Sequence, residues 1–170
     1  DGASTTATVL GNNIGIGSDD NTAVGNGTGG ILIKTTANVS VGDGTSIGAN
    51  IIAYNGTEGG VVLEDAGTFV PVLANSIFEN GGPGIDLGNN GITANDSGDT
   101  DSGPNDSLNF PVINSLTVDG TAVNYDITLD TVSHSEGYRV DFYRDNNSGD
   151  VNGEGETWLG FVNLTYTGVT

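Results

Sequence analysis

The segment Gly48-Ala49-Asn50-Ile51-Ile52-Ala53-Tyr54-Asn55-Gly56 returns 25 residues later as Leu73-Ala74-Asn75-Ser76-Ile77-Phe78-Glu79-Asn80-Gly81. Asn, Ile, Asn and Gly fall in register. A second echo links Gly29-Gly30-Ile31-Leu32-Ile33, Gly59-Gly60-Val61-Val62-Leu63 and Gly82-Pro83-Gly84-Ile85-Asp86-Leu87, at spacings of 30 and 24. Weaker members are Gly11-Asn12-Asn13-Ile14 and Asn38-Val39-Ser40-Val41-Gly42. Short β-branched runs between Gly and Asn, recurring at periods in the twenties, mark a solenoid.

The residue types select which solenoid. A leucine-rich repeat needs Leu at fixed positions and a helical convex side, and neither is visible. Strands of three to five residues between sharp turns predict a parallel β-helix. Asn suits its turns because it tolerates left-handed backbone angles and can stack on the Asn of the next coil. Residues 1–88 then make three to four coils, roughly 15 to 19 Å long at the strand spacing of about 4.8 Å. Such a stub leaves an open sheet edge at its N-terminal end, which points to a longer parent protein.

The stretch 89–109, NNGITANDSGDTDSGPNDSLN, has almost no apolar residues and reads as a linker or an ion-binding loop. From residue 110 to 170 the pattern turns to clean alternation. Val123, Tyr125, Ile127 and Leu129 fall on one face, and Tyr138, Val140 and Phe142 alternate with Arg139, Asp141 and Tyr143. With 110–118 and 157–167 this predicts four strands of an antiparallel β-sandwich, truncated by the end of the chain.

The run Gly84-Ile85-Asp86-Leu87-Gly88 through Asn95-Asp96-Ser97-Gly98-Asp99-Thr100-Asp101-Ser102-Gly103-Pro104-Asn105, closed by Asn109-Phe110-Pro111-Val112, resembles a recurring junction. It is found in large secreted bacterial proteins with right-handed parallel β-helix repeats, the pectate-lyase-like superfamily in its broad sense. The later Tyr138–Tyr143 and Gly153–Gly160 look like paired strands of the sandwich that follows there. The resemblance covers roughly residues 48–165. It implies a right-handed coil, a secreted or surface location and an uncharacterised or adhesive role. It does not imply lyase activity, since that chemistry uses an Arg or Lys base and Lys34 is the only basic residue of the coils.

The strongest chemical candidate is the acidic junction. Asp96, Asp99, Asp101, Asn105 and Asp106 place oxygen ligands at alternating positions interrupted by Gly98 and Gly103, and such a loop can wrap six to eight oxygens around Ca²⁺. A plain solvated turn uses the same residues. The second candidate set is Asp145, Asn147, Asp150, Asn152 and Glu154. From Asp150 it begins like an EF-hand loop, but the twelfth position is Phe161 where a bidentate Glu is required. A looser calcium loop closing a hairpin remains. Gly81–Gly88 fits one copy of a calcium nonapeptide that works only in tandem.

For catalysis, Glu58, Glu64, Asp65, Glu79 and Asp86 are the acids of the coils, and Asp86 with Glu64 or Asp65 is the least implausible glycosidase pair. His134 beside Ser133 makes a poor Ser/His pair, because adjacent residues rarely form one. Lys34 and the arginines are expected to pair with nearby carboxylates. Six Asn-x-Ser/Thr sequons, at Asn26, Asn38, Asn55, Asn95, Asn105 and Asn163, carry little weight in a chain so rich in these residues.

Composition sets the outer bounds. The 170 residues hold 22 acidic against three basic side chains, for a net charge of −19, with 29 Gly and neither Cys nor Met. Nucleic acid and anionic membranes are disfavoured as partners, because both need Lys/Arg clusters. Thiol chemistry, Cys-ligated zinc and disulfides are excluded, and no apolar run reaches membrane-spanning length. Without Met at position 1, the chain reads as a segment of something larger. The sequence therefore predicts a non-catalytic structural or adhesive segment, extracellular or on the cell surface, stiffened by Ca²⁺. Its partners would be another surface protein or a glycan, or further copies stacked through open coil ends into an array or filament. The rival is a carbohydrate-active enzyme or carbohydrate-binding module using the coil groove, weakened by only three aromatic residues in 1–88: Tyr54, Phe69 and Phe78.

Overall fold

In the computed structural model, residues 6–34, 38–64, 69–120, 122–134, 137–146 and 151–165 are described. The protein is all-β, with small sheets and a single short 3-10 turn at Pro104–Ser107 among these residues. Three strands come from a first pass of the chain: β1 (Thr6–Val9), β2 (Asn13–Ile14) and β3 (Gly29–Ile33). A second pass supplies β4 (Asn38–Val41), β5 (Ile51–Ala53) and β6 (Gly59–Leu63), and a third β7 (Ser76–Phe78) and β8 (Ile85–Leu87). All pair in parallel, as β1-β4, β2-β5-β7 and β3-β6-β8, and Val72 continues the first line through a bridge to Val41. Among the described residues, no helix is long and apolar enough to cross a membrane.

Apolar side chains directed between the sheets form the core: Ile33, Val39, Val41, Ile52, Val61, Leu63, Val70 and Ile77. Each fully buried Val, Leu or Ile contributes about 1.5–3 kcal/mol. Polar residues also enter this interior, in two ladders. In one, the backbone N–H and the Nδ2 of Asn12 both donate to Asn50 Oδ1, and those of Asn50 both donate to Asn75 Oδ1, at 2.8–3.0 Å. The other runs from Asn26 to Asn55 to Asn80 in the same sense. Asn50, Asn55, Asn75 and Asn80 are all buried.

Local backbone geometry aims these side chains inward. Tyr54, Ala74 and Glu79 are left-handed, with φ of 61, 57 and 53°, and each immediately precedes a ladder asparagine. A left-handed residue costs about 1–2 kcal/mol, so these corners persist only because the following carboxamide is fully bonded. At the corresponding corner after β4, Gly42 has φ +78°, and a Cβ there would stand 2.0 Å from the Leu73 carbonyl oxygen. No side chain fits that approach.

The ladder partners are 25 residues apart between the second and third passes, but 38 and 29 between the first and second. Two longer loops account for the change: the stretch between Val41 and Asn50 exceeds its counterpart between Val72 and Asn75 and lengthens both intervals, and a first-pass loop lengthens the one from Asn12 further. Residues 15–28 form a looped excursion closed by an antiparallel bridge between Ile16 and Ala23, with Ile16 buried beneath it. The period of about 25 residues thus belongs to one interval of the chain.

The alternating half gives β9 (Val112–Asp119), β10 (Ala122–Thr128), β11 (Tyr138–Arg144) and β12 (Thr157–Leu164). They pair antiparallel as two separate two-stranded sheets, β9-β10 and β11-β12. Alternation there does not translate into a closed core. Ile113, Leu116, Val123 and Tyr125 are exposed, and among the described apolar side chains of this half only Val140 is buried. Tyr125 meets Phe142 across the two sheets, with ring centroids 4.5 Å apart. Two two-stranded ribbons have too little facing area to bury both apolar faces.

The segment before β12 closes the end of the parallel stack. Ile77 and Gly155 exchange both backbone hydrogen bonds at 2.9 Å, Ser76 Oγ donates to the Glu156 carbonyl at 2.5 Å, and Gly84 N donates to Asn152 O. Glu154 completes the second ladder: Asn80 N and Nδ2 both donate to its carboxylate, the latter at 2.7 Å.

Removing a middle member of a ladder leaves groups above and below it unpartnered in a dry interior. Asn55→Ala is expected to lower the unfolding free energy by about 3 kcal/mol, whereas Asn12→Ala at the exposed end is expected to cost less than about 1 kcal/mol. Urea unfolding of both variants measures the difference, and equal losses would contradict the ladder's role.

Candidate metal centre

The junction loop is built around one buried side chain that sequence reading did not single out, Asn109. Its Oδ1 accepts the Asp96 N–H at 2.9 Å, and its Nδ2 donates to the carbonyls of Asp96 and Asp130 at 2.8 and 2.7 Å. Its own N–H donates to Asp99 Oδ1 at 2.8 Å. One residue thereby ties both ends of the acidic turn to the segment following β10. Gly98 N donates to Asp130 Oδ2, which adds a further tie.

Held this way, Asp96, Asp99 and Asp101 each present a carboxylate oxygen within 4.8 Å of the others. Asp99 is 5 % exposed, left-handed at φ 53°, and also accepts the Thr131 hydroxyl at 2.5 Å. Asp96 is half-buried and Asp101 exposed. The Thr100 hydroxyl, assisted by the Thr100 backbone N–H, holds the Asp96 carboxyl below the ordinary aspartate range. It is therefore ionised at neutral pH. Three carboxylates this close repel one another by about 1 kcal/mol per pair even in water, and more where water is partly excluded. A divalent cation would remove that repulsion and take oxygens from all three.

The other predicted ligands lie elsewhere. Asn105 faces the parallel stack, where its Oδ1 accepts Val70 N at 2.7 Å and its Nδ2 donates to Val70 O at 2.9 Å. Asn105, Asp106 and Ser107 are all left-handed, at φ 50–55°, and form one left-handed turn stitched to Val70 by that pairing. In the second set, Asn147 and Asp150 lie outside the described residues. Asp145 is exposed, Asn152 Nδ2 donates to Asn80 O at 3.2 Å, and Glu154 receives the ladder. The structure brings Asn152 and Glu154 to the end of the parallel stack.

The remaining candidates have definite positions. Glu64 pairs with Lys34 at 2.8 Å and accepts Asn89 Nδ2, and these contacts lower its pKa. Asp86 is buried, and its carboxylate accepts the N–H groups of Asn90 and Gly91, fixing the turn after β8. Glu58 is half-buried, Glu79 is exposed, and Asp65 is outside the described residues. His134 is exposed, with its ring 6.1 Å from that of Tyr138. Arg139 grips Asp141 at 2.7 and 2.9 Å, reaches the Gly44 carbonyl and lies 3.9 Å over the Phe161 ring. Trp158 Nε1 donates to the same aspartate.

A cleft of about 350 Å³ brings residues of the two halves together: Asp20, Phe78, Glu156 and Trp158 line it. Trp158 comes from β12 of the antiparallel half, so no spacing within residues 1–88 announces it. No family model, curated protein or solved structure matches the chain.

Proposed function

We propose that the protein is a non-catalytic structural or adhesive segment of an extracellular or cell-surface protein. In this reading the parallel passes are the end of a β-helix, the antiparallel strands belong to a β-sandwich, and Ca²⁺ clamps the loop between them. The observation that carries it is the convergence of Asp96, Asp99 and Asp101 at the junction. A hard dication with oxygen ligands suits three carboxylates better than a soft metal does. Ligand capture there would stiffen the connection by removing backbone freedom from the loop. A site with few rigid protein ligands has affinity in the submillimolar to millimolar range, which fills only in extracellular fluid.

Thermal unfolding tests this. At about 10 mM Ca²⁺ a site of that affinity adds about 1.4–2.7 kcal/mol, a rise of roughly 3–10 °C in Tm over the protein in chelator. Asp101→Asn, an exposed change, is expected to abolish the rise. An identical Tm with Ca²⁺ and with chelator would refute the clamp.

A second reading is supported by the Trp158 cleft. An aromatic platform beside Asp20 and Glu156 has the composition of a sugar-binding surface, with the ring under the apolar face of a pyranose and the carboxylates on its hydroxyls. A glycan array is the test: retention lost in Trp158→Ala favours this reading, and absence of any retained glycan refutes it.

A further inference from the structure

A groove of about 520 Å³ runs beside β8 and is bordered in part by Asn152 and Gly153 of the segment that closes the stack. Its walls include Ile85, Leu87, Ile92, Leu108, Phe110 and Val151. Five of these are exposed, from 36 % for Leu108 to 82 % for Val151. Such clustering of large apolar side chains around a concave surface marks an interaction site.

The adjacent backbone is also suited to a partner. Val61 N donates to Gly84 O and Gly88 N donates to Leu63 O, which fixes the phase of the β6-β8 ladder. In a parallel ladder alternate residues turn their N–H and C=O to opposite sides. The N–H and C=O of Ile85 and the N–H of Leu87 therefore point away from β6, along the groove. The molecule closes the neighbouring β7 edge with an extended backbone, through the Ile77 and Gly155 pair, and that cover stops at the bond between Gly84 N and Asn152 O.

Charge selects the occupant. No Lys or Arg lines the groove, and Asp106 adjoins its lining residue Asn105 in sequence, in a chain of net charge −19. A second copy would bring another −19 against it. We propose that this groove binds an extended, basic peptide segment of another protein by strand addition to β8. Alternate apolar side chains would enter the groove and the intervening Lys or Arg would face outward, following the two-residue period of a strand. This site shares Asn109 with the junction loop but uses none of the three carboxylates of the acidic triad.

The test uses a fluorescein-labelled Lys-Val-Lys-Val-Lys-Val-Lys peptide, read by anisotropy at about 0.15 M salt, where long-range attraction is screened beyond roughly 8 Å. The blocked-order peptide Lys-Lys-Lys-Lys-Val-Val-Val has the same charge, and an alternately N-methylated version cannot pair its backbone. Binding of the alternating peptide at least about tenfold tighter than either control is expected. The Ile92→Lys/Val151→Lys double variant, altered at exposed positions, is expected to weaken it by about tenfold or more while keeping the wild-type circular dichroism and Tm. Equal binding of all three peptides, unchanged binding by the variant, or no binding would overturn the proposal. So would a dimer in sedimentation that the double variant abolishes, since the occupant would then be a second copy.

Discussion

A buried asparagine carboxamide has an acceptor and two donors, and in this protein Nδ2 of Asn50 and Asn55 reaches the next pass and also returns to a carbonyl of the preceding one. Every ladder member but the last donates its backbone N–H and its Nδ2 to the Oδ1 of the member in the next pass. The ladder is therefore polar, and its last member has donors that need an acceptor from outside the repeat. Asn80 finds it in Glu154, 74 residues further along the chain. A buried donor left unbonded costs about 1–3 kcal/mol, so ending the ladder is as much a structural requirement as building it.

That requirement joins the two halves of the molecule. The segment bearing Glu154 also pairs Gly155 with Ile77 and covers an edge that would otherwise recruit another strand. Burial of Tyr143 raises its phenol pKa well above the usual value, and its ring meets Gly155, so β11 is drawn against the same end. A second connection runs through Asn105 and Val70, and a third through Arg139 and the Gly44 carbonyl. The acidic turn is thus supported between elements anchored at several points. That permits three carboxylates to converge instead of splaying apart.

Much of the parallel half was legible because its determinants repeat. Asn50 with Asn75 and Asn55 with Asn80 announce the stacking by spacing alone, and the same pairs are hydrogen-bonded in the structure. The first pass was weaker as a signal because the excursion at 15–28 shifts its spacing. In the second half the strands were legible from alternation, but their burial was not. Alternation specifies a face, and whether that face is covered depends on what packs against it; Val123 and Tyr125 remain exposed. Of the acidic loop, sequence reading found the three aspartates and missed Asn109, since a single Asn in a turn has no pattern until its four bonds are seen. Glu154 was assigned to a calcium loop because an acid in a Gly/Asn run looks alike in either role. Only the fold places Asn80 in front of it.

The most direct measurement of this account is native-state hydrogen exchange on Glu154→Ala and Glu154→Gln beside the wild type. With the cap removed, Glu154→Ala is expected to lose about 2 kcal/mol and to expose the Asn80 and Ile77 amides to faster exchange before the core strands β5 and β6. Glu154→Gln, which keeps one acceptor oxygen, is expected to lose about half as much. Unchanged stability and unchanged Asn80 protection in Glu154→Ala would contradict the claim that the ladder needs its terminal acceptor.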